Sequence, residues 1–364
     1  MALRVVVWGT GNVGRPAIRA VAAHRDLELV GAIVANPDKV GRDVGELAGL
    51  APLGIAATDR IDAASAPDID AVVYTVNADF RPAESLEEVQ ACLHAGTNVV
   101  STCFYPLLHP PSAPAEILDP VTTACREGNA SIFVSGIDPG WALDILPLLL
   151  SGVGADIREI RVQEMFNYAL YDQEDAVRTL IGFGTSMDEL PPMLLDYSLN
   201  LVWAPMLRVL ADGLGLTIDE IKTQVERRPL EHTIEVPGMG TFEQGTQGAF
   251  RFEVQGIVEG QPLLIVEHIT RIDDACATDW PVPDSGQGAH RVVIEGRPNF
   301  EVSVHGTEAG EPGAAGGGNA LAANRIVNAI PAVCAAAPGV IHPLALPPIT
   351  GARQLRGVTA ERRS

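Results

Sequence analysis

The strongest constraint on the fold sits at the start of the chain. LRVVVWGTGNVGRPAIRAV is a short apolar run that meets three glycines and then an amphipathic stretch. Gly9, Gly11 and Gly14 are spaced GxGxxG, directly after a strand pattern and at the opening of a helix pattern. In that setting the first glycine makes a tight turn. The second lets the backbone approach a pyrophosphate, and the third lets helix and strand pack closely. The helix N-terminus adds N–H groups and the positive end of its dipole. The turn, with Thr10, Asn12 and Val13 between its glycines, is therefore a candidate dinucleotide cradle.

The segments that follow alternate. LELVGAIVA, IDAVVYTVN, TNVVSTC and ASIFVSGI read as strands, whereas SLEEVQACLHAG and PAEILDPVTTACREGN read as helices. Apolar strands alternating with helices imply a parallel sheet covered on both faces. After DPGWALDILPLLLSGVG the pattern changes. IREIRVQEMFNYAL reads as a strand, LLDYSLNLVWAPMLRVLADGLG and TIDEIKTQVERR as helices. EHTIEVPG, GAFRFEVQGIVEG, QPLLIVEHITRID and HRVVIEGRPNFEVSVHG then read as successive strands, with VEGQP as a hairpin turn. Strands without helices between them imply an antiparallel or mixed sheet. AGEPGAAGGGN reads as a flexible link, ALAANRIVNAIPAVCAAAPG as a helix that returns to the first domain, and GVTAERRS as a frayed end. The expected fold class is α/β: a Rossmann doubly wound parallel sheet with an inserted α+β domain on a mixed or antiparallel sheet. Residues 1–145 plus 318–364 form the expected dinucleotide-binding domain, and residues 146–317 the inserted substrate-binding and dimerisation domain.

Charge narrows the partners. The net charge of −21 repels phosphate backbones, so nucleic acid is not an expected partner. No apolar run is long and uncharged enough to span a bilayer, and no secretory pattern precedes the first strand. The five cysteines have no CxxC pair, which suits a reducing cytoplasm. His232, His268, His290 and His305 show no ligand spacing, and no metal is expected. The expected partners are a small-molecule substrate and a second copy of the chain in a homodimer.

The second strand pattern decides the dinucleotide. NAD sites usually carry an acid about 20 residues past the glycines, on the ribose 2′-OH. Here AIVANPDKVGRD has Asn36 at the strand end, then Lys39 and Arg42. A 2′-phosphate is attracted by such cations and repelled by an acid. NADP(H) is expected, with NAD(H) as the second choice. Ligands in open α/β sheets lie beyond the carboxyl ends of the strands. That places Thr75, Val76 and Asn77, then Thr102, then Gly136 beside the cofactor.

Hydride reduction of C=O or C=N needs a proton donor near the heteroatom. Asp138, in SGIDPGW, is the preferred acid, with helix capping as its plain alternative. Tyr105, just past a strand end, is the second candidate, and His109 follows it in a Pro-rich stretch. Strand alternation in EMFNYALY puts Glu164, Phe166 and Tyr168 on one face, with Tyr171 beyond them. With Phe104, Trp141 and Phe183 these are the expected substrate-binding residues. Lys222, the only lysine besides Lys39, falls in the helical reading of TIDEIKTQVERR, which argues against a Schiff-base lysine.

VVVWGTGNVGR, DKVGRDVGEL, GIDPGWALDILP, IGFG and NRIVNAIPAVCAAAPG together resemble one family. Its members share a dihydrodipicolinate-reductase-type N-terminal domain and include 2,4-diaminopentanoate dehydrogenases and native amine dehydrogenases. The resemblance implies a Rossmann domain, an inserted domain whose sheet builds a dimer, and NAD(P)-dependent chemistry at C–N or C–O bonds. Asn324, inside the last motif, joins the expected cofactor residues. The His-His-x-x-Lys segment of true dihydrodipicolinate reductases is absent. Amine dehydrogenases of the family place a glutamate soon after the strand matching NVVSTC, where this chain reads Phe104, Tyr105, Pro106. Three readings follow: an amine dehydrogenase-like oxidoreductase, a carbonyl or imine reductase that uses no ammonia, and a non-catalytic NADP(H)-binding redox sensor.

Overall fold

The computed structural model describes residues 2–171, 173–311, 313–352 and 354. The chain divides into two units: Met1–Cys103, Ala115–Val134 and Ala323–Ser364 form the first, Phe104–Pro114 and Ser135–Ala322 the second. The division thus falls at 134/135 and 322/323, against the expected 145/146 and 317/318, and the 104–114 loop goes to the second unit.

In the first unit β1 (Leu3–Trp8), α1 (Gly14–Ala23), β2 (Leu27–Ile33), α2 (Val44–Leu47), β3 (Ala71–Tyr74), α3 (Pro82–His94), β4 (Asn98–Ser101), α4 (Ala115–Gly128) and β5 (Ser131–Val134) follow one another. The strands read as unbroken apolar runs because both faces are covered. Val5, Val6 and Val7 are buried, as is every residue of β3. The six-stranded sheet is parallel throughout, in the order Gly339–Val340, β5, β4, β3, β1, β2. The winding direction reverses beside β1, so the carboxyl ends of β1 and β3 flank the switch point where such sheets bind ligands. The expected doubly wound fold is present.

The second unit holds α5 (Ile145–Ser151), β6 (Ala155–Asn167), α6 (Asp196–Leu214), β7 (Glu220–Pro229), the small pair β8 (Ile234–Val236) and β9 (Gly240–Phe242), β10 (Gln247–Val258), β11 (Gln261–Arg271), β12 (Gly288–Arg297) and β13 (Phe300–Val304). Its main sheet runs β13, β12, β6, β11, β10, β7. It is mixed: β6 and β11 pair parallel, the other neighbours antiparallel. The β10–β11 turn is the one expected, with Glu259 and Gly260 at φ 51° and 78°, values a two-residue hairpin turn favours.

Two local readings are corrected. TIDEIKTQVERR is no helix from Glu220 on but the edge strand β7. Its half-buried Ile221, Thr223, Val225 and Arg227 alternate with exposed Glu220, Lys222, Gln224 and Glu226, and that period of two, locked by pairing with β10, overrides helix-forming composition. Lys222 is exposed there and pairs with Glu220 at 3.2 Å. AGEPGAAGGGN is not a free link either. From Gly313 on it is the start of α7 (Gly313–Ala335). Its glycines bring the helix close to neighbouring backbone: a Cβ on Gly317 would sit 2.1 Å from the Gly306 carbonyl oxygen. The segment GVTAERRS lies outside the described residues.

Substituting Gly317→Ala should therefore cost about 1–3 kcal/mol through overpacking, although alanine is the better helix former. A lowered denaturant midpoint checks this; an unchanged one removes the close-approach role.

Candidate functional site

The first unit carries the glycine turn between β1 and α1. Gly9 has φ 107°, and a Cβ there would lie 2.9 Å from the Thr75 carbonyl oxygen. A Cβ on Gly14 would lie 2.1 Å from the Gly9 carbonyl oxygen. Those two glycines are required by packing. Gly11 is not: nothing lies within 4 Å of its Cβ position, and its φ is ordinary, so open space borders the turn. Asn12 is half-buried, and Val13 opens α1, whose first turn has no acid and no side-chain cap. Anion-binding turns of this kind need these features.

The cations gather at this turn. Lys39 Nζ donates to the Thr10 carbonyl oxygen and Thr10 Oγ1, each at 3.2 Å. Burial, then repulsion from Arg15 and Arg42, holds the Lys39 ammonium below its usual range. Arg15 was not among the expected residues; its place directly after Gly14 was the available signal. Asn36 accepts from the Asp38 N–H at 2.9 Å and caps a short turn. Thr75 Oγ1 donates to the Trp8 carbonyl oxygen at 3.1 Å, and Val76 accepts from Cys103 Sγ at 2.8 Å. Asn77 and Asn324 are exposed, and Thr102 is half-buried. Gly136 belongs to the second unit.

In the second unit a row of side chains crosses the sheet. The register sets Phe252 opposite His268, His268 opposite Glu164, and Glu164 opposite His290. Glu164 Oε1 lies 2.8 Å from His268 Nε2, and Oε2 lies 3.1 Å from His290 Nε2. Thr270 Oγ1 meets His268 Nδ1 at 2.8 Å, and the Phe252 ring stacks on this imidazole at 5.0 Å. Burial alone would raise the Glu164 carboxyl, but the two imidazoles outweigh it and hold the group well below the usual carboxylate range.

Asp138 sits beside this row, with its side chain 2% exposed. The Trp203 indole N–H, from α6, donates to Asp138 Oδ1 at 2.9 Å. Oδ2, 3.8 Å from His268 Nε2, is buried without a hydrogen-bond partner among the described residues. Burial, and then the neighbouring Glu164 charge, pushes the Asp138 carboxyl well above its usual range. Asp138 does not cap the following helix. That role falls to Asp144, which accepts from the Ile145 N–H. Asp138, Glu164 and His268 each bring an atom within 4.8 Å of the others, a grouping that spacing along the chain does not reveal.

A cavity of about 80 Å³ opens on this pair. Phe166, Tyr168, Tyr171 and His290 line one part, Ile137, Ala315, Gly318 and Asn319 another. Tyr168 donates to Glu164 Oε1 at 3.2 Å, and burial followed by the Glu164 charge keeps its phenol protonated. Asp138, Glu164, Phe166, Tyr168 and Tyr171 thus meet as one group. Phe183 is not in the lining; it is 1% exposed and packs between Tyr168 and Phe250, behind the wall. Trp141, Phe104 and Tyr105 are also outside the lining. Tyr105 opens the turn Tyr105–Leu108, which packs on α6 through buried Leu107 and Leu108. His109 continues that anchor, 3.0 Å from Asp212 of α6. His268, His290 and Trp203 were missed. The parity of His268 with buried Val266 and Thr270 was a signal, but nothing local showed which strands flank β6.

Comparison with known proteins agrees with this architecture. Residues 3–104 match the dihydrodipicolinate reductase N-terminus, and residues 141–356 match the 2,4-diaminopentanoate dehydrogenase C-terminal domain. The chain is 52% identical to an amine dehydrogenase of Streptomyces virginiae over 95% of its own length and 96% of that protein's. The chain belongs to this dehydrogenase family. A 4-hydroxy-tetrahydrodipicolinate reductase of Synechococcus elongatus is 45% identical over 16% of the chain and 21% of its own. The structure of an amine dehydrogenase from Mycobacterium smegmatis superposes with a TM-score of 0.70, covering 96% of this chain and 97% of that one, at 23% identity. That last likeness speaks for the fold. As a member of the dehydrogenase family, the chain is an oxidoreductase.

The Asp138 shift has a consequence for stability in this dehydrogenase. Between the unfolded value of about 3.9 and the raised native value, the folded protein keeps a proton that the unfolded chain has released. Stability therefore falls as pH rises through that window. Asp138→Asn removes this slope. Its melting temperature should gain on the wild type as pH rises above the ordinary carboxylate range; parallel curves would mean that Asp138 ionises normally.

Proposed function

We propose that the protein is an NADP(H)-dependent oxidoreductase that interconverts a small primary amine with the corresponding carbonyl compound and ammonia. The observation that carries this is the Asp138–Glu164 pair: one buried acid that keeps its proton beside one buried carboxylate that has lost it. Two carboxyls with opposed environments suit different roles, one a proton donor and the other a fixed anion.

The first unit fits a dinucleotide. Open space at Gly11 leaves room for a pyrophosphate against the turn Gly9–Gly14. Arg15, Lys39 and Arg42 lie close enough to repel one another, and such a cation cluster suits a 2′-phosphate. Thr75, Val76, Asn77, Thr102 and Asn324 are assigned to the same cofactor. The nicotinamide, when bound, supplies or accepts the hydride.

The second unit handles the amine. The Glu164 charge attracts an ammonium or iminium group, and the Tyr168 and Tyr171 rings, 4.9 Å apart, add aromatic faces that favour a cation. In amination, ammonia adds to the carbonyl carbon. Asp138 Oδ2–H gives one proton to the carbonyl oxygen and the added nitrogen gives the second, so the oxygen leaves as water and the iminium stays against the Glu164 carboxylate. In deamination the same two groups work in reverse. His268 and His290 keep Glu164 ionised and fixed. Asp138 rather than Tyr105 takes the acid role, because Asp138 lines the cavity and Tyr105 does not.

The opposite face of the main sheet carries the ion pairs Arg161–Glu253, Arg161–Glu267 and Arg251–Glu267. We assign to this face the contact with a second copy in a homodimer. The five cysteines are all free, which fits a cytoplasmic protein, and no helix among the described residues is long and apolar enough to cross a membrane.

The test is oxidation of NADPH, and separately NADH, with small ketones and aldehydes, with and without ammonium. Ammonium-dependent consumption with amine as product is expected. Consumption that ignores ammonium would replace this reading with a carbonyl reductase, and none with any carbonyl would leave a binding protein. Asp138→Asn should lower kcat about 100-fold or more. Lys39→Ala should weaken NADPH binding about tenfold while leaving NADH nearly unaffected; equal losses for both would remove the 2′-phosphate contact.

A further inference from the structure

Asp138, Glu164 and His268 come from the turn after β5, from β6 and from β11, yet one ligand atom of each lies within 4.8 Å of the others. His268 Nε2 is 2.8 Å from Glu164 Oε1 and 3.8 Å from Asp138 Oδ2. Two ligands about 2.1 Å from a tetrahedral cation stand roughly 3.4 Å apart, and these two distances straddle that value. Each group is also held from behind. His268 Nδ1 meets Thr270 Oγ1 at 2.8 Å, the Trp203 indole N–H donates to Asp138 Oδ1 at 2.9 Å, and His290 Nε2 meets Glu164 Oε2 at 3.1 Å. Outer partners of this kind orient the rings and carboxylates that bind metals. An Nδ1–H given to Thr270 leaves the Nε2 lone pair facing the two carboxyls. Tyr168 takes up one lone pair of Glu164 Oε1, and a carboxylate oxygen has a second to give. A further observation is independent of this spacing. Asp138 Oδ2, on a side chain 2% exposed, is aimed into the group and has no hydrogen-bond partner among the described residues. The expectation of no metal rested on spacing along the chain, which three residues joined by the fold do not display.

We infer that Asp138, Glu164 and His268 form a binding site for a divalent first-row cation, Zn²⁺ above all, whose occupancy switches the amine chemistry off. One imidazole nitrogen and two carboxylate oxygens suit zinc. Calcium takes about six to eight oxygens and magnesium a near-octahedral set of them, so neither is served here. Two carboxylates balance the double charge of the cation, so the buried set is neutral as a whole. Three protein ligands leave the fourth tetrahedral position to water, on the side of the cavity that Asp138 and Glu164 line. The cation sends the proton of Asp138 Oδ2 to bulk water and takes up the Glu164 charge. The cavity thus loses its proton donor and its free anion together. The switch rests on reading these two groups as the amine pair; the binding does not.

The experiment titrates the full-length protein, stripped with a chelator and desalted, with zinc chloride alone by calorimetry. Wild type, Asp138→Asn, His268→Gln and Thr270→Val are compared. Cobalt chloride is titrated in parallel, because a tetrahedral site gives Co²⁺ an intense visible absorption. One cation per chain is expected in the wild type. Asp138→Asn and His268→Gln should weaken zinc binding about 100-fold or more, and Thr270→Val, which removes no ligand, about 10- to 100-fold. Thr270→Val keeps the test decisive should the other two fail to fold. A wild type that binds no zinc overturns the inference, as does zinc affinity unchanged in the folded variants. Turnover is then measured with zinc bound. It should fall in proportion to occupancy and return on adding chelator. Turnover unchanged or raised with zinc bound at these residues overturns the switch. Zinc bound there in a protein that turns over no amine upholds the metal site and sinks the dehydrogenase reading of the cavity. Amine turnover in a protein that binds no zinc does the reverse.

Discussion

A carboxylate buried in a β-sheet must be paired, and the pairing of Glu164 organises the interior of the second unit. Burying an unpaired ion costs several kcal/mol even after relaxation. Here the sheet order supplies two partners at once. The parallel neighbour β11 brings His268 directly opposite, and the antiparallel neighbour β12 brings His290. His268 is itself fixed, by Thr270 through Nδ1 and by the rings of Phe252 and Trp203. A second carboxyl placed against this charge cannot also ionise at modest cost, so Asp138 keeps its proton. Sheet order thus leads to an ionised Glu164, that charge to a neutral Asp138, and the two to a donor and an anion in one cavity.

Local charge, not total charge, distinguishes the two units. The chain carries −21 overall and only two lysines. One of them, Lys39, is drawn to the glycine turn and held there by Thr10, close enough to Arg15 and Arg42 to lose some of its affinity for a proton. Repulsion among the three cations is a cost that an anion placed against them would relieve. The second unit shows the mirror image, two carboxyls in one cavity, which suits a small cation. One acidic chain therefore carries a cationic turn and a cavity lined by two carboxyls.

The first unit was legible in the sequence because its signals are local. Strand, glycine turn and helix are consecutive, and each glycine of the turn acts within about ten residues or on the neighbouring strand. The second unit was legible only in outline. Glu164, Phe166 and Tyr168 were placed together because a strand alternates, and they do line one cavity. His268 and His290 were not, because they lie 104 and 126 residues from Glu164 and meet it only through sheet order. TIDEIKTQVERR contains good helix formers, and only its pairing with β10 resolves the ambiguity in favour of the strand. Tyr105 was chosen for its chemistry and its place past a strand, yet the turn it opens is committed to packing on α6.

Glycines explain the remaining gap between sequence and site. A run such as GAAGGGN looks the same whether its glycines give freedom, close approach or empty space. Composition favours the first of these, and the structure separates the other two. Gly14 and Gly317 have backbone where a Cβ would be, so each holds two segments together. Gly11 and Gly318 have ordinary φ values and no such neighbour, so neither sterics nor turn geometry asks for glycine there. One borders the turn between β1 and α1, the other the cavity beside Asp138 and Glu164. Inside a helix, a glycine costs about 1 kcal/mol relative to alanine. Gly318, within α7, carries that cost with no close backbone approach to offset it.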